Sequence, residues 1–328
     1  MILKKILFYI FILNILYFFL AASIYITSSL LLINNKILNI NILLDYQKNF
    51  YNQLGYRKIW QNEKNCVEFD DKLIFKPKIG KCLFANPEFN TVLNFDEEGR
   101  LKGNKLINKN GTEGVAVIGD SHAMGWGVND NETFSAILEK KLNKKVYNLA
   151  VAGYATEREI LRLKNSGLLK EINTVVIQYS DNDYNENISK VPDNNIEISK
   201  FKFNELISAK QTFFKRLRKA IRYSYIIPIE KLNYKNHILM NWNDHEKIFY
   251  KIINKYDFLK EKKIIVIYVN GENIKFNNFP NGQSKILENL FFLDISYQKK
   301  DFFILDGHLN KYGHIKVAKE LYNNFFIK

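Results

Sequence analysis

Gly114-Val115-Ala116-Val117-Ile118-Gly119-Asp120-Ser121-His122 decides how this chain folds. Four consecutive apolar residues closed by a glycine read as a short strand buried on both faces, and such strands belong to parallel sheets covered by helices. Downstream, Phe134 to Leu142 places Phe134, Ile137, Leu138 and Leu142 on one helical face, and Val146 to Ala150 is a second strand. Glu157 to Lys164 is a second helix, and Thr174 to Tyr179 a third strand. Ile264 to Val269 and Phe302 to Leu305 are expected as the fourth and fifth strands. Tyr312 to Phe326 closes the chain as a helix, with Ile315, Ala318, Leu321, Tyr322 and Phe325 facing inward. Apolar strands alternating with amphipathic helices predict a doubly wound α/β domain over 111–328, with its site at the carboxyl ends of the strands.

Upstream of that domain, residues 35–110 carry short β-like runs, Lys72 to Phe75 and Thr91 to Leu93, separated by turn signals such as Lys76-Pro77 and Asn86-Pro87. This stretch is expected to be a small β-rich segment. It contains both cysteines of the chain, Cys66 and Cys82, and two cysteines close together in an exported segment are expected to pair.

Residues 1–34 are different again. Ile6 to Ile33 is an apolar run without a charge, longer than the ~20 residues a spanning helix needs. Ala21-Ala22-Ser23 resembles a signal-peptidase site, yet the apolar run continues past it, so an uncleaved transmembrane anchor is expected. Lys4 and Lys5 keep the N-terminus inside and put the rest of the chain on the periplasmic or extracellular side.

Between the third and fourth strands lies a long insertion, about 186–259. Asn204 to Tyr225 within it reads as a basic amphipathic helix, with Leu206, Phe213, Leu217 and Ile221 on one face and Lys210, Lys215, Arg216, Arg218, Lys219 and Arg222 around it. The net charge is +14, from 48 Lys and Arg against 34 Asp and Glu. Those charges are dispersed, without a basic stripe interleaved with stacking aromatics, which argues against nucleic acid as a partner.

Chemistry concentrates in the loops after the strands. Ser121 follows the first strand directly. Asp306-Gly307-His308 lies at the far end of the domain. A serine hydroxyl needs a base to become nucleophilic, and a histidine base needs a carboxylate to set its tautomer. Gly153 follows the second strand, where a residue without a side chain lets its N–H approach a substrate closely. Asn182 follows the third strand and offers a side-chain amide. Asp301 is a poorer partner for His308, because it precedes the expected fifth strand.

In combination these blocks resemble the SGNH/GDSL hydrolase family: Gly119-Asp120-Ser121, then Gly153, then Asn182-Asp183, then Asp306 with His308, spread over Gly114 to Phe326. The resemblance implies a flavodoxin-like three-layer α/β/α domain with Ser121 as nucleophile, His308 as base and Asp306 as its orienter. The oxyanion hole would be the N–H groups of Ser121 and Gly153 with the Asn182 side chain. No metal or cofactor is implied. Two features depart from the family pattern. Ser180 stands where a glycine is usual, and Asp306 is two residues before His308 rather than three, a spacing similar to that of SGNH-like sugar O-acetyltransferases. Location and resemblance together suggest an esterase removing O-acyl groups, O-acetyl foremost, from a cell-envelope carbohydrate. Alternatives are an acyltransferase acting on such a glycan, or a catalytically silent envelope-assembly or binding protein.

Overall fold

Valine, isoleucine and alanine in unbroken runs can be buried from both sides, and the strands carrying them pair side by side in one sheet. The structure, a computed structural model, describes residues 2–100, 113–189, 196–208, 213–232, 242–269 and 288–327. The chain divides into two units.

The smaller unit comprises Met1–Lys58, Asn86–Glu88 and Ala209–Leu239. Its helices are α1 (Ile2–Ile33), α2 (Asn41–Gln53) and α8 (Phe213–Leu232). They meet around Tyr25, Tyr46 and Leu54, with Ile24, Phe50, Ala220, Tyr223 and Ile227 packed alongside. α1 is long and apolar enough to cross a membrane. From Ile2 to Leu20 its large apolar side chains are mostly exposed, whereas Ala21, Tyr25, Ser28, Ser29 and Leu32 are buried against the other helices.

The larger unit comprises Ile59–Ala85, Phe89–Ser208 and Met240–Lys328. It opens with the hairpin β1 (Val67–Asp70) and β2 (Ile74–Pro77). Next come β3 (Gly80–Asn86), β4 (Phe89–Asp96), β5 (Gly99–Arg100) and β6 (Gly114–Ile118). The alternation then runs α3 (Ser121–Met124), α4 (Phe134–Leu142), β7 (Val146–Asn148), α5 (Thr156–Asn165) and β8 (Ile172–Tyr179). After α6 (Asp181–Ser189), α7 (Ile196–Ser208) and α9 (Trp242–Asn254) come β9 (Lys263–Tyr268), β10 (Leu290–Leu293) and α10 (Lys311–Phe325). The expected helix Asn204 to Tyr225 corresponds to the end of α7 and the start of α8; residues 209–212 lie outside the described residues.

One eight-stranded sheet has the order β10-β9-β8-β6-β7-β5-β4-β3. Its five parallel strands, β6 to β10, stand in the order 2-1-3-4-5 of flavodoxin-like sheets. β3, β4 and β5 extend the same sheet beyond β7 through antiparallel pairing. Alternate residues go to opposite faces. Val115 and Val117 of β6 pack with Phe134 and Leu138 of α4 and Val317, Ala318 and Leu321 of α10. Ala116 and Ile118 pack with Ile160 and Leu163 of α5 and Phe249, Ile252 and Ile253 of α9. The architecture is therefore three-layered, as its pattern of apolar strands and helices predicts.

The fifth strand requires a correction. Leu290–Leu293, not Phe302 to Leu305, pairs in parallel with β9. Around Gly307, which has φ 76°, the chain folds back on itself. The Phe303 N–H donates to the His308 carbonyl at 2.8 Å, and Phe302 forms a single antiparallel bridge with Leu309. Both segments are short and apolar, and periodicity does not tell a strand from a buried loop at that length.

Candidate active site

The carboxyl end of β6 carries the centre of the site. Gly119 occupies a backbone conformation (φ 154°) in which a Cβ would lie 2.7 Å from that of Ala123 and 2.8 Å from Gln178 Oε1. Absence of a side chain lets the turn close onto β8, where Gln178 Oε1 accepts from the N–H groups of Asp120 and Ala123, both at 3.1 Å. Asp120 caps α3, its Oδ1 accepting from the His122 N–H at 2.9 Å and its Oδ2 from the Ser180 hydroxyl at 2.7 Å. Ser180 in turn accepts from Gln178 Nε2 at 3.1 Å. The buried network thus uses the hydroxyl that distinguishes Ser180 from glycine and fixes Ser121 at the start of α3.

His308 reaches the same point from the loop before α10. Its Nε2 lies 2.6 Å from Ser121 Oγ, and its Nδ1 is hydrogen-bonded to Asp306 Oδ1. The Asp306 carboxylate is buried and can only accept, so the proton belongs on Nδ1 and Nε2 is left to accept from the serine. Ser121, His308 and Asp306 therefore form one connected chain of hydrogen bonds.

Several further residues shape the site, and sequence patterns alone do not single them out. The His308 ring is stacked on Trp126, with centroids 4.7 Å apart and planes 11° apart, and lies 4.7 Å from the His122 ring. His122 Nδ1 accepts from the Leu309 N–H at 3.3 Å. Trp126 belongs to the loop 124–128, whose carbonyls converge on Arg100 of β5. Arg100 Nη1 donates to Met124 O and Gly125 O, and Nη2 to Val128 O, all at 2.6 Å. Arg100 Nε is paired with Asp130 at 2.9 Å. Burial lowers the Arg100 pKa and the Asp130 charge opposes that shift. Gly125 and Gly127 on either side of Trp126 are the one sequence signal that a constrained loop sits here.

The other two expected site residues lie on neighbouring loops. The Val151 N–H donates to the Gly119 carbonyl at 3.0 Å, which brings the loop after β7 against the Gly119–Ser121 turn. Gly153 has φ 80°, and a Cβ there would come within 2.9 Å of Gln61 Nε2. Asn182 is exposed in the first turn of α6. Beside it, Asp183 is buried, its Oδ2 accepting from the Ser180 N–H at 2.6 Å. Burial and the Asp120 charge hold the Asp183 carboxyl well above the usual carboxylate range. Glu159 of α5 behaves alike, through burial first and then the charges of Asp183 and Asp120. Cys66 and Cys82 are joined in a disulfide, with Cα atoms 5.0 Å apart.

No protein-family model matches the chain. No curated protein matches it either. Among solved structures, a family two carbohydrate esterase from Clostridium thermocellum, in complex with cellohexaose, is similar with a TM-score of 0.35 and 10% identity. The match covers 66% of this chain and 65% of that one. Likeness of that degree carries no information about a ligand, so the chemistry rests on the side chains themselves.

Proposed function

We propose that the protein is a membrane-anchored serine esterase of the SGNH type that removes O-acyl groups, O-acetyl foremost, from a cell-envelope carbohydrate. The observation that carries this reading is the unbroken hydrogen-bond chain from Ser121 Oγ through His308 to the buried Asp306. In the reaction, Ser121 Oγ attacks the ester carbonyl while His308 Nε2 takes its proton. Asp306 holds Nδ1–H and stabilises the imidazolium that results. The backbone N–H groups of Ser121 and Gly153 and the Asn182 side chain are the proposed donors to the oxyanion. Collapse of the tetrahedral intermediate passes the proton from His308 to the departing sugar oxygen and leaves an acyl-Ser121. Water, activated by the same histidine, then releases the acid and restores the serine.

The proposed location rests on α1. A helix of 32 residues is about 48 Å long, more than the ~30 Å hydrocarbon core. With Lys4 and Lys5 inside, the catalytic unit stands outside the cytoplasmic membrane. A sugar hydroxyl in place of water would make the same acyl-enzyme a transferase. The test offers an activated acetyl ester with and without envelope oligosaccharide, following acetate and acetylated sugar separately. Release of acetate, together with deacetylation of native glycan, is expected. Acetylated sugar formed at the expense of acetate would reassign the enzyme as a transferase, and no turnover of any ester would remove the enzymatic reading.

A further inference from the structure

Helix α8 carries two apolar stripes, one packed against α1 and α2 and one largely exposed. Ala220, Tyr223 and Ile227 pack onto the cluster formed with α1 and α2, and Ser224 is buried there. A second stripe runs along Phe214, Leu217, Ile221 and Tyr225, at the three- and four-residue spacing of one helical face. Phe214 is 79% exposed, Leu217 45% and Ile221 48%. By helical spacing Arg218, Arg222 and Lys215 follow this stripe around the helix, and all three are exposed.

Where the stripe ends is the decisive observation. Tyr225 meets α1 at Tyr17, with rings in edge contact 5.3 Å apart and the Tyr17 hydroxyl donating to the Tyr225 carbonyl at 3.1 Å. The Tyr225 hydroxyl also lies 3.5 Å from Asn14 Oδ1. About two turns before Tyr225, Lys219 Nζ donates to Gln53 O at the end of α2. Ile6 to Leu20, the uncharged and mostly exposed part of α1, is about 22 Å long and fits within the thickness of a hydrocarbon core. Tyr17 lies inside that stretch, so Tyr225 of α8 touches the segment of α1 that a bilayer would surround. The exposed stripe of α8 ends at this contact with the anchor.

We infer that α8 is a second membrane-contacting element, which beds Phe214, Leu217 and Ile221 in the outer leaflet and sets Lys215, Arg218 and Arg222 against anionic phospholipid headgroups. An apolar stripe bordered by Lys and Arg is the form of an interfacial helix, and basic side chains at that depth gain from a negatively charged surface. Long basic side chains also cover apolar surface with their stems while the charged ends reach the headgroups. The inference rests on reading α1 as a membrane anchor and is independent of the chemistry at Ser121. Its consequence is that the anchor is not a simple tether: α1 and α8 together fix how the smaller unit meets the membrane.

The test uses the full chain, with its disulfide intact, in nanodiscs of phosphatidylcholine with phosphatidylglycerol and of phosphatidylcholine alone. A spin label is placed singly at Phe11→Cys, Leu217→Cys or Ile221→Cys, and its collisions with oxygen and with a water-soluble nickel chelate are compared. High oxygen and low nickel accessibility is expected at all three positions in the anionic discs. A variant with Lys215→Gln, Arg218→Gln and Arg222→Gln is expected to lose lipid accessibility at Leu217 and Ile221 and to keep it at Phe11. Water exposure at Leu217 and Ile221 with Phe11 in lipid would overturn the assignment of α8 alone. Water exposure at Phe11 would overturn the anchor and α8 with it. Spin–spin broadening between copies labelled at Leu217 would show a second copy of the chain on this face instead of lipid. Lipid accessibility that survives the triple substitution would overturn the role of anionic headgroups.

Discussion

The His308 imidazole is oriented by Asp306 at one ring nitrogen, turned to Ser121 at the other and backed by the flat face of Trp126. Hydrogen bonds set its tautomer, and stacking limits its rotation. Arg100 governs the second of these, because its guanidinium ties together the carbonyls of Met124, Gly125 and Val128 around Trp126. Lysine keeps the charge there but cannot reproduce the planar fork. Arg100→Lys is expected to destabilise the fold by about 1–3 kcal/mol. It is also expected to lower kcat on a small acetyl ester roughly tenfold through misplacement of the base, with KM little changed. Urea unfolding and steady-state kinetics on the same preparation check both. Lost stability with an unchanged kcat would show that Arg100 supports the loop without influencing His308. The grouping of Ser121, His308 and Asp306 is legible in the sequence because each proposed role restricts the residue type. Trp126 and Arg100 are not, because a tryptophan or a lone arginine gives no such restriction until the chain brings it to the site.

Elements repeat this distinction. β6, β8 and β9 and helices α4, α5 and α10 are readable because their apolar periodicity is local and strong. Phe302 to Leu305 reads as a strand because a closed apolar loop has the same composition. The antiparallel extension by β3, β4 and β5 depends on pairing across the chain, notably Arg100 with Asn148, which no local pattern encodes. The contact between α4 and α10 makes a testable point. His314 of α10 is fully buried, its Nδ1 accepts from the Phe134 N–H at 3.1 Å, and its ring stacks on Phe134. Burial, then Arg100, pushes its pKa down to about 3. A histidine whose folded pKa is depressed contributes stability above its unfolded pKa of about 6.5, and that contribution is lost as pH falls toward about 3. His314→Asn keeps an acceptor for Phe134 but cannot titrate in this range. The variant is expected to be less stable at neutral pH, from lost packing, with a shallower loss of stability on acidification between pH 6.5 and 3. Chemical unfolding over that range checks it, and parallel curves for the two proteins would contradict the assignment.

At the scale of the whole molecule, an apolar helix in the smaller unit and a hydrogen-bonded Ser121, His308 and Asp306 in the larger one are the features that define the proposed role. The disulfide bears on the same question, because Cys66 and Cys82, separated by 16 residues, pair stably only where the compartment is oxidising. Closing a loop of that length is expected to stabilise the larger unit by about 3 kcal/mol in the chain-entropy model. Protein purified from membranes should therefore show no thiol on denaturation without reductant and a lower unfolding midpoint once reduced. Two reactive thiols in the denatured, unreduced protein would contradict placement outside the cytoplasm. The central claim, that Ser121 is a nucleophile activated by His308, is tested most directly by treating the full-length protein with a fluorophosphonate and measuring its intact mass and modified peptide. The account predicts a single adduct on Ser121, absent from Ser121→Ala and formed several orders of magnitude more slowly in a folded His308→Ala variant. No adduct on the folded wild-type protein, or labelling of Ser121 at the same rate without His308, would contradict it.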